Sequence, residues 1–321
     1  MSTMIPKEKL CEMYTKMLQI RKFDEKIAYF FTLGKVHGTT HLYIGEEATA
    51  VGVCSALKDT DYMTSTHRGH GHCIAKGIDL NRMMAEMLGK YNGYCRGKGG
   101  SMHIADISKG IIGANGIVGA SMPIACGTAF AQKYRGEKNV SVAFFGDGAS
   151  NRGTFHESMN MAAALQLPLV FVCENNQFGM STPFEVASHN KTISQRASAY
   201  DMPGYRCDGN DPLAVREVAE KAIQDAREGK GPSLVECLTW RHSGHFVGDS
   251  AIYKKPADQE AWLKKDPIVR FEARLMEEDG VGREEIDAIH ADAEAEIKAA
   301  IEFADNSPYP TIDVMYEDLY F

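Results

Sequence analysis

Two apolar runs in the middle of the chain are each followed at once by residues that can bind a cation. Residues 146–148 (Gly-Asp-Gly) follow the run at 139–145, and residues 174–176 (Glu-Asn-Asn) follow the run at 167–173. Carboxylate and amide oxygens suit the hard cation Mg²⁺, which completes its coordination with water and phosphate oxygens. The pattern therefore predicts a magnesium ion that holds a diphosphate group.

The intervening sequence predicts how these two motifs come together. The runs at 139–145 and 167–173 are typical of buried strands, and residues 153–166 carry apolar positions at helical spacing. Such a strand–helix–strand unit is almost always a right-handed crossover between parallel strands, so both motifs lie at one edge of a sheet. A hairpin turn at Gly-Asp-Gly and a polar loop at Asn-Asn are the alternatives for each motif alone. Their joint occurrence favours the diphosphate site.

The rest of the chain continues the alternation of helices and strands. The pattern predicts helices over 5–33, 45–58, 79–89, 120–134, 212–227 and 257–304, strands over 205–207 and 233–239, and irregular segments over 89–119 and 241–256. We expect an α/β protein with a single domain over residues 1–321, including helical arms at about 1–35 and about 257–321.

Composition argues against several classes of protein. The formal net charge is −8 and no long basic run occurs, which argues against a nucleic-acid partner. No apolar run is long enough to span a membrane and no signal peptide is recognisable, so we expect a cytoplasmic protein. The eight cysteines include no Cys-x-x-Cys pair, which is typical of a reduced protein without a zinc or disulfide framework.

Two further patterns look like a zinc site and a nucleotide-binding loop, but the spacing of their residues does not fit either kind of site. The histidines at 67, 70 and 72 are not placed as a helical zinc pair, and ordinary polar or packing roles are the better interpretation for His37, His72 and His103. Residues 93–101 (GYCRGKGGS) resemble a nucleotide-binding loop, but only three residues separate Gly93 from Gly97, and Gly99 stands where the motif needs serine or threonine. A surface loop near a subunit contact is the expected role of this segment.

The central motifs resemble those of a known enzyme family. Gly-Asp-Gly at 146–148 followed by Asn-Asn at 175–176 is similar to the thiamine diphosphate motif. The stretches that resemble α subunits of 2-oxo-acid and acetoin dehydrogenase complexes are 113–119 (GANGIVG), 67–71 (HRGHG), His41 with 45–48 (GEEA), 241–245 (RHSGH) and 307–310 (SPYP). The similarity covers essentially the whole chain. It implies a three-layer α/β/α thiamine-diphosphate-binding fold with a mainly parallel sheet and helical extensions.

The resemblance implies which residues hold magnesium and the diphosphate. The side chains of Asp147 and Asn176 and the carbonyl oxygen of Phe178 are expected to bind Mg²⁺. Arginine suits phosphate by its charge and its fork of donors. The residues expected to contact this end of the cofactor are His67, Arg68, Gly146, Gly148 and Ala149.

The same resemblance implies contacts at the other end of thiamine diphosphate. The backbone of Gly116 is expected to meet the pyrimidine ring, and Val118 is expected to support the bent shape of the cofactor. His70 and His245 are expected to be catalytic at the substrate end, where an imidazole can donate a proton or stabilise charge. His245 is also expected to contact the cofactor. A loop histidine without a role is the alternative for His245.

A glutamate that activates the cofactor ring is not found in its expected setting, because Glu47 and Glu174 lie in other motifs. In the family this glutamate belongs to a separate β subunit. The resemblance therefore implies an α₂β₂ heterotetramer, with the cofactor between the subunits, and a lipoyl-bearing acyltransferase core as a further partner. We expect the isolated chain to be inactive.

Two stretches favour acetoin as the substrate. Residues 65–73 and 244–249 look more like acetoin dehydrogenase α subunits, and pyruvate-type α subunits usually have a tyrosine where His67 stands. The expected reaction cleaves acetoin to acetaldehyde and transfers the two-carbon acetyl unit to a lipoyl group. The alternatives are oxidative decarboxylation of pyruvate or another 2-oxo acid, a split transketolase-type enzyme, and a non-catalytic structural or regulatory α-like subunit.

Overall fold

A computed structural model describes residues 5–319 and has a six-stranded sheet at its centre. The strands of this sheet are β1 (Tyr62–Thr64), β2 (Ile111–Gly113), β3 (Ser141–Gly146), β4 (Leu169–Asn175), β7 (Gly204–Asp208) and β8 (Ser233–Leu238). A separate antiparallel pair consists of β5 (Phe178–Gly179) and β6 (Thr182–Pro183). The helices are α1 (Lys7–Thr32), α2 (Glu47–Cys54), α3 (Gly69–Ala75), α4 (Leu80–Met87), α5 (Ser121–Tyr134), α6 (Gly153–Ala164), α7 (Phe184–Ala187), α8 (Pro212–Arg227), α9 (Pro256–Leu263), α10 (Pro267–Glu277) and α11 (Arg283–Asn306). Short 3₁₀ turns lie at Gly100–Met102, Ile107–Lys109, Asp147–Asn151, Ser194–Tyr200 and Ile312–Tyr316.

The order of the strands creates a natural ligand site. It is β2-β1-β3-β4-β8-β7, and every neighbouring pair is parallel. The chain runs outward from β1 to β2 and then returns to the other side of β1 with β3, so the winding reverses between β1 and β3. Open parallel sheets bind ligands beyond the carboxyl ends of their strands at such a reversal.

Strand β3 shows that the sheet is buried on both faces. Its side chains alternate, so that Val142 and Phe144 lie in one hydrophobic core and Ala143 and Phe145 lie in the other. The first core is completed by α1, α2, α3, α4, α8, α10 and α11, and the second by α5 and α6. The expected three-layer α/β/α fold with a parallel sheet is therefore confirmed.

The two helices that the sequence assigns to terminal arms pack against the body of the protein. Helix α1 lies against α11, and its Tyr14, Met17 and Phe23 are fully buried. Both helices contribute side chains to the first core, which supports our proposal that the chain forms one domain. Among the residues described, no helix has the length and apolar character that crossing a membrane requires.

Most predicted elements are present, although the helical stretch expected over 257–304 is divided into α9, α10 and α11. The short elements that the sequence pattern does not predict are β1, β2, β5, β6, α3 and α7. The strands expected at 139–145 and 167–173 are β3 and β4, and the helix expected at 212–227 is α8. Helix α8 begins after Asp211, whose carboxylate accepts hydrogen bonds from two backbone N–H groups of the first turn. Strands β1 and β2 have three residues each, which is too few for a periodic pattern to show.

Residues 69–75 form helix α3, which the sequence pattern does not predict. Glycine weakens helix propensity, which hides this helix in the sequence. The fold nevertheless requires the two glycines. A Cβ atom at Gly71 would overlap the ring of Tyr43, and one at Gly69 would lie 2.7 Å from Cβ of Ala114. Close packing thus explains both the helix and its composition.

The glycine-rich segment at 93–101 wraps around a buried carboxylate. Glu86 on α4 is only 1% exposed. It accepts hydrogen bonds of 2.8–3.0 Å from the backbone N–H groups of Cys95, Gly97, Gly99 and Gly100. Converging amides of this kind form an anion-binding concavity. Since the protein's own carboxylate fills it, the segment does not serve as a phosphate site, in agreement with its unfavourable spacing.

Candidate active site

A cavity of about 260 Å³ lies at the carboxyl edge of the sheet. Its walls are formed by residues that follow five strands: His67 and Arg68 after β1, Asn115, Ile117 and Val118 after β2, Asp147, Gly148 and Ala149 after β3, Asn176 and Phe178 after β4, and Arg241 and His245 after β8. Gly146, the last residue of β3, also lines it. The Gly-Asp-Gly and Asn-Asn motifs therefore meet at one edge of the sheet, as the crossover predicted.

Asp147 and Asn176 present oxygen atoms suited to a cation. Asp147 is 2% exposed, and its Oδ2 atom has no hydrogen-bond partner within residues 5–319. Burial raises the pKa of Asp147 to about 7, an effect that the N–H of Gly148 partly offsets. The side-chain N–H₂ of Asn176 donates to Oε1 of Glu46 at 3.1 Å, and Oδ1 at the other end of the amide receives a long contact of 3.4 Å from the N–H of Phe178. Phe178 lines the same cavity, and its carbonyl oxygen accepts a long hydrogen bond of 3.5 Å from Nη1 of Arg241.

The turn after β3 brings the backbone close to whatever the cavity holds. Residues Asp147–Asn151 form a 3₁₀ turn that leads into α6. A Cβ atom at Gly148 would lie 3.0 Å from Cα of Gly179, so only glycine fits there without a shift of the neighbouring strand. Backbone N–H groups at the entry to a helix favour negatively charged ligands. The turn is therefore suited to phosphate oxygens.

Two buried arginines give the cavity a positive wall. Arg68 is 4% exposed and donates to the carbonyl oxygens of Leu42 at 2.8 Å and His245 at 2.6 Å. Arg241 is 1% exposed and donates to the carbonyl oxygen of Met180 at 3.1 Å and to the hydroxyl of Tyr253 at 2.9 Å. Neither guanidinium group forms an ion pair within the described part of the chain. Buried charges without a partner are costly, so this wall calls for an anionic ligand.

Three histidines gather beside Arg68. The ligating nitrogen atoms of His41, His67 and His245 all lie within 4.8 Å of one another. Burial, and next the charge of Arg68, lower their pKa values to about 3, about 2 and about 4, so all three imidazoles are neutral at pH 7. Such a cluster is close enough to hold a transition metal, but the adjacent arginine charge opposes a cation. Neutral hydrogen-bonding groups at the end of the cavity are the better interpretation.

The contact between His245 and Arg68 shows which ring nitrogen of the neutral His245 carries the proton. Nη2 of Arg68 lies 3.2 Å from Nδ1 of His245. A guanidinium group can only donate, so Nδ1 must accept and the proton of the neutral ring lies on Nε2. The backbone N–H of His245 donates to Asp249 at 2.6 Å, which fixes the loop that carries the ring.

His70 does not line the cavity, contrary to the expectation that it faces the substrate end. It is fully buried on α3, where Nδ1 donates to Asp24 at 2.6 Å and Nε2 lies 2.9 Å from the hydroxyl of Ser101. Both ring nitrogens are thus engaged inside the protein. The reason is the helical start at Gly69, which turns the side chain away from the strand edge. Its catalytic role stays a prediction without structural support.

Gly116 lies between residues of the cavity wall without lining it itself. Its neighbours Asn115, Ile117 and Val118 do line it. Ile117 and Val118 are 69% and 43% exposed, which is unusual for apolar side chains next to a ligand site.

Several residues of the site were not singled out as site residues from the sequence. Arg241 and His41 had been noticed only as members of longer motifs. Glu174 lines the cavity and is held by the hydroxyl of Tyr43 and by Nε2 of His72 at 2.9 Å. Glu46 is fully buried behind Asn176. Two adjacent glutamates at the start of the mostly apolar stretch 48–54 are a signal that could have marked Glu46, since charged side chains are seldom fully buried without a partner.

Comparisons with known proteins agree with this geometry. Residues 15–313 match the family described as dehydrogenase E1 component. The chain is 52% identical over 317 residues to the α subunit of acetoin:2,6-dichlorophenolindophenol oxidoreductase from Bacillus subtilis, with 98% of this chain and 95% of the relative covered. The corresponding subunit from Cupriavidus necator is 46% identical, with the same coverage of 98% and 95%. The pyruvate dehydrogenase E1 component subunit alpha of Rhizobium meliloti is 40% identical, with 98% and 90% covered.

Proposed function

The chain belongs to the dehydrogenase E1 component family, and on that premise we propose that it is the α subunit of a thiamine-diphosphate-dependent acetoin dehydrogenase. It is an oxidoreductase subunit whose complex cleaves acetoin to acetaldehyde and passes the two-carbon acetyl unit to a lipoyl group of an acyltransferase. The observation that carries the proposal is the composition of the cavity. Asp147, whose Oδ2 atom has no hydrogen-bond partner within residues 5–319, lines the same cavity as two buried arginines that form no ion pair there.

That composition fits a diphosphate together with Mg²⁺. We propose that Asp147, Asn176 and the carbonyl of Phe178 bind the metal, which needs hard oxygen ligands and keeps the rest of its shell from phosphate and water. Arg68 and the N–H groups of Gly148 and Ala149 hold phosphate oxygens. Gly146 and Gly116 provide backbone contacts, and Val118 supports the cofactor ring. When bound, thiamine diphosphate supplies a nucleophilic carbon that adds to a substrate carbonyl.

The substrate end of the site is formed by the histidine cluster. With its proton on Nε2, His245 can donate a hydrogen bond to an oxygen of the substrate while Arg68 holds Nδ1. His67 lies beside it, with ring centroids 5.5 Å apart, and adds a second neutral donor or acceptor. Neutral imidazoles suit acetoin, which carries no charge, whereas a 2-oxo acid brings a carboxylate. The identities of 52% and 46% to acetoin-named subunits, against 40% to a pyruvate-named one, support the same choice.

The site is incomplete without a second chain. The glutamate that activates the cofactor is expected on a β subunit, and we propose an α₂β₂ assembly that docks on a lipoyl-bearing acyltransferase core. The cavity of about 260 Å³ is slightly smaller than the roughly 300–1,000 Å³ of typical ligand pockets, as expected for half of a shared site. The exposed apolar side chains of Ile117 and Val118 at its rim are surface that a partner chain would cover.

The test is an assay of the complete enzyme with two substrates. The chain is co-expressed with the β subunit encoded beside its gene, and dye reduction that depends on thiamine diphosphate and Mg²⁺ is measured with acetoin and with pyruvate. We expect a clear preference for acetoin, and no turnover by this chain alone. Preference for pyruvate would refute the choice of substrate while leaving the cofactor site intact.

Two variants show whether the cavity is the site of that activity. Asp147→Asn is expected to abolish both the activity and the thermal stabilisation by thiamine diphosphate with Mg²⁺, because the buried carboxylate oxygen is lost. Asp201→Asn, which changes an exposed aspartate after a 3₁₀ turn, serves as the matched control and should behave like the parent. If the parent complex shows neither activity nor stabilisation by the cofactor, a non-catalytic α-like subunit becomes the better reading of the chain.

A further inference from the structure

Glu46 is a buried carboxylate that touches the proposed metal site without lining the cavity. It is 0% exposed and immediately precedes helix α2. Its Oε1 atom accepts a hydrogen bond of 3.1 Å from the side-chain N–H₂ of Asn176. Its Oε2 atom has no hydrogen-bond partner within residues 5–319. No role in the proposed reaction requires a carboxylate here, so its burial needs another explanation.

We propose that Glu46 is a positioning residue that orients the side-chain amide of Asn176, so that its oxygen and not its nitrogen faces the metal. The inference rests on the proposed function, because it takes Asn176 as a ligand of Mg²⁺. The two ends of an asparagine amide have nearly the same shape, but only the oxygen can bind a hard cation. Rotating the amide by half a turn would place its oxygen against Oε1 of Glu46, with two acceptors facing each other.

The contacts of Asn176 agree with this role. The N–H of Phe178 points at Oδ1 of Asn176 over 3.4 Å, a long contact that leaves the second lone pair of this oxygen available. Oε1 can accept from this N–H₂ group both in the ionised carboxylate and in a neutral carboxyl group whose proton lies on Oε2. The side chains that bind a metal are commonly oriented by a hydrogen bond between a neighbouring residue and a part of the side chain that does not contact the metal.

Neighbouring carboxylates do not share the arrangement. Glu47 is equally buried, but it accepts from Nε of Arg21 at 2.6 Å and from the backbone N–H of Gly45 at 3.0 Å, which gives it a structural role. Glu174 accepts from Tyr43 and His72. Among the side chains of these three glutamates, only that of Glu46 forms a hydrogen bond with a proposed metal ligand. Glu47 therefore offers a matched control for loss of a buried carboxylate.

The experiment measures metal binding directly in the assembled complex with the β subunit. Mn²⁺ replaces Mg²⁺, thiamine diphosphate is saturating, no substrate is present, and free Mn²⁺ is followed by electron paramagnetic resonance. Glu46→Leu removes the acceptor and is expected to raise the Kd of Mn²⁺ by about 10- to 100-fold, the usual effect of losing a group that orients a metal ligand. Glu46→Gln keeps an acceptor oxygen and should stay within about threefold of the parent. Glu47→Gln is expected to lower thermal stability without changing the Kd.

The outcomes separate this inference from the proposed function. If the parent complex fails to bind Mn²⁺ with thiamine diphosphate, the proposed metal site itself is wrong. If the parent binds but Glu46→Leu binds equally well, or Glu46→Gln is as impaired as Glu46→Leu, the positioning role is refuted. Should Glu46→Leu not assemble, Glu46→Met removes the same acceptor with a side chain that adapts to irregular packing, and its Kd decides.

Discussion

Replacing Glu86 by glutamine is predicted to release the glycine-rich segment at 93–101 from the body of the protein. Each carboxylate oxygen of Glu86 accepts two backbone N–H groups, from Cys95 and Gly97 on Oε2 and from Gly99 and Gly100 on Oε1. A glutamine keeps one oxygen and turns an N–H₂ group toward the other two donors. Two hydrogen bonds to a charged acceptor are therefore lost.

The size of the effect follows from those two bonds. A hydrogen bond to a charged group contributes about 1.5–3 kcal/mol, so the free energy of local opening of the segment should fall by about 3–6 kcal/mol. Because about 1.4 kcal/mol corresponds to a factor of ten, amide-exchange protection within 95–100 should fall by about two to four decades. The loss should stay local, since other contacts of the segment are kept, such as the hydrogen bond between the N–H of Asp79 and the hydroxyl of Tyr94 at 2.9 Å and that between Lys98 and Asp318 at 3.0 Å.

Hydrogen exchange followed by mass spectrometry on the peptide that covers 93–101 measures this directly. Glu302→Gln, at an exposed position on α11, is the control and should leave exchange unchanged. Equal protection of the segment in Glu86→Gln and in the parent would refute the reasoning. It would mean that the segment holds its shape without the carboxylate.

Three further predictions concern stability in urea unfolding. Gly71→Ala should destabilise the protein, because overpacking against Tyr43 costs about 1–3 kcal/mol and the gain in helix propensity is at most about 1 kcal/mol. The control is Gly127→Ala in α5, where the new Cβ atom would have open space around it, and this variant should be neutral or stabilising. Asp211→Ala should cost about 1 kcal/mol through loss of the cap of α8. The pKa of His41 is lower in the folded than in the unfolded state, so the unfolded chain gains the proton first, and stability falls as the pH drops below about 6.5. In His41→Gln the fall in the free energy of unfolding between neutral pH and pH 5 should be smaller by at most about 2 kcal/mol. The same dependence of stability on pH in the variant and in the parent would contradict a lowered pKa of His41 in the folded state.

Local patterns were sufficient for much of the fold and for part of the site. The runs that became β3 and β4 alternate between two cores, and their β-branched and aromatic residues are typical of strands buried on both faces. The handedness of the crossover then placed Asp147 and Asn176 at one edge without any knowledge of the rest of the chain.

The same patterns failed where packing overrides propensity. Helix α3 carries two glycines because Tyr43 and Ala114 occupy the space of their side chains, and no property of residues 69–75 alone reveals that. The position of His70 away from the cavity follows from this helix, which buries its side chain against Asp24. Likewise, nothing in 93–101 shows that Glu86 fills its concavity.

The sequence by itself determined the class of fold, the crossover at the centre and the two motifs that face a diphosphate, because these depend on periodicity and on the fixed handedness of parallel strands. Only the tertiary structure decided which distant side chains meet there. His41 lies beside His245, Arg68 donates to the loop of His245, and Glu46 stands behind Asn176. Such contacts depend on how several strands are ordered and on the paths of the loops between them, and no local pattern of residues encodes either.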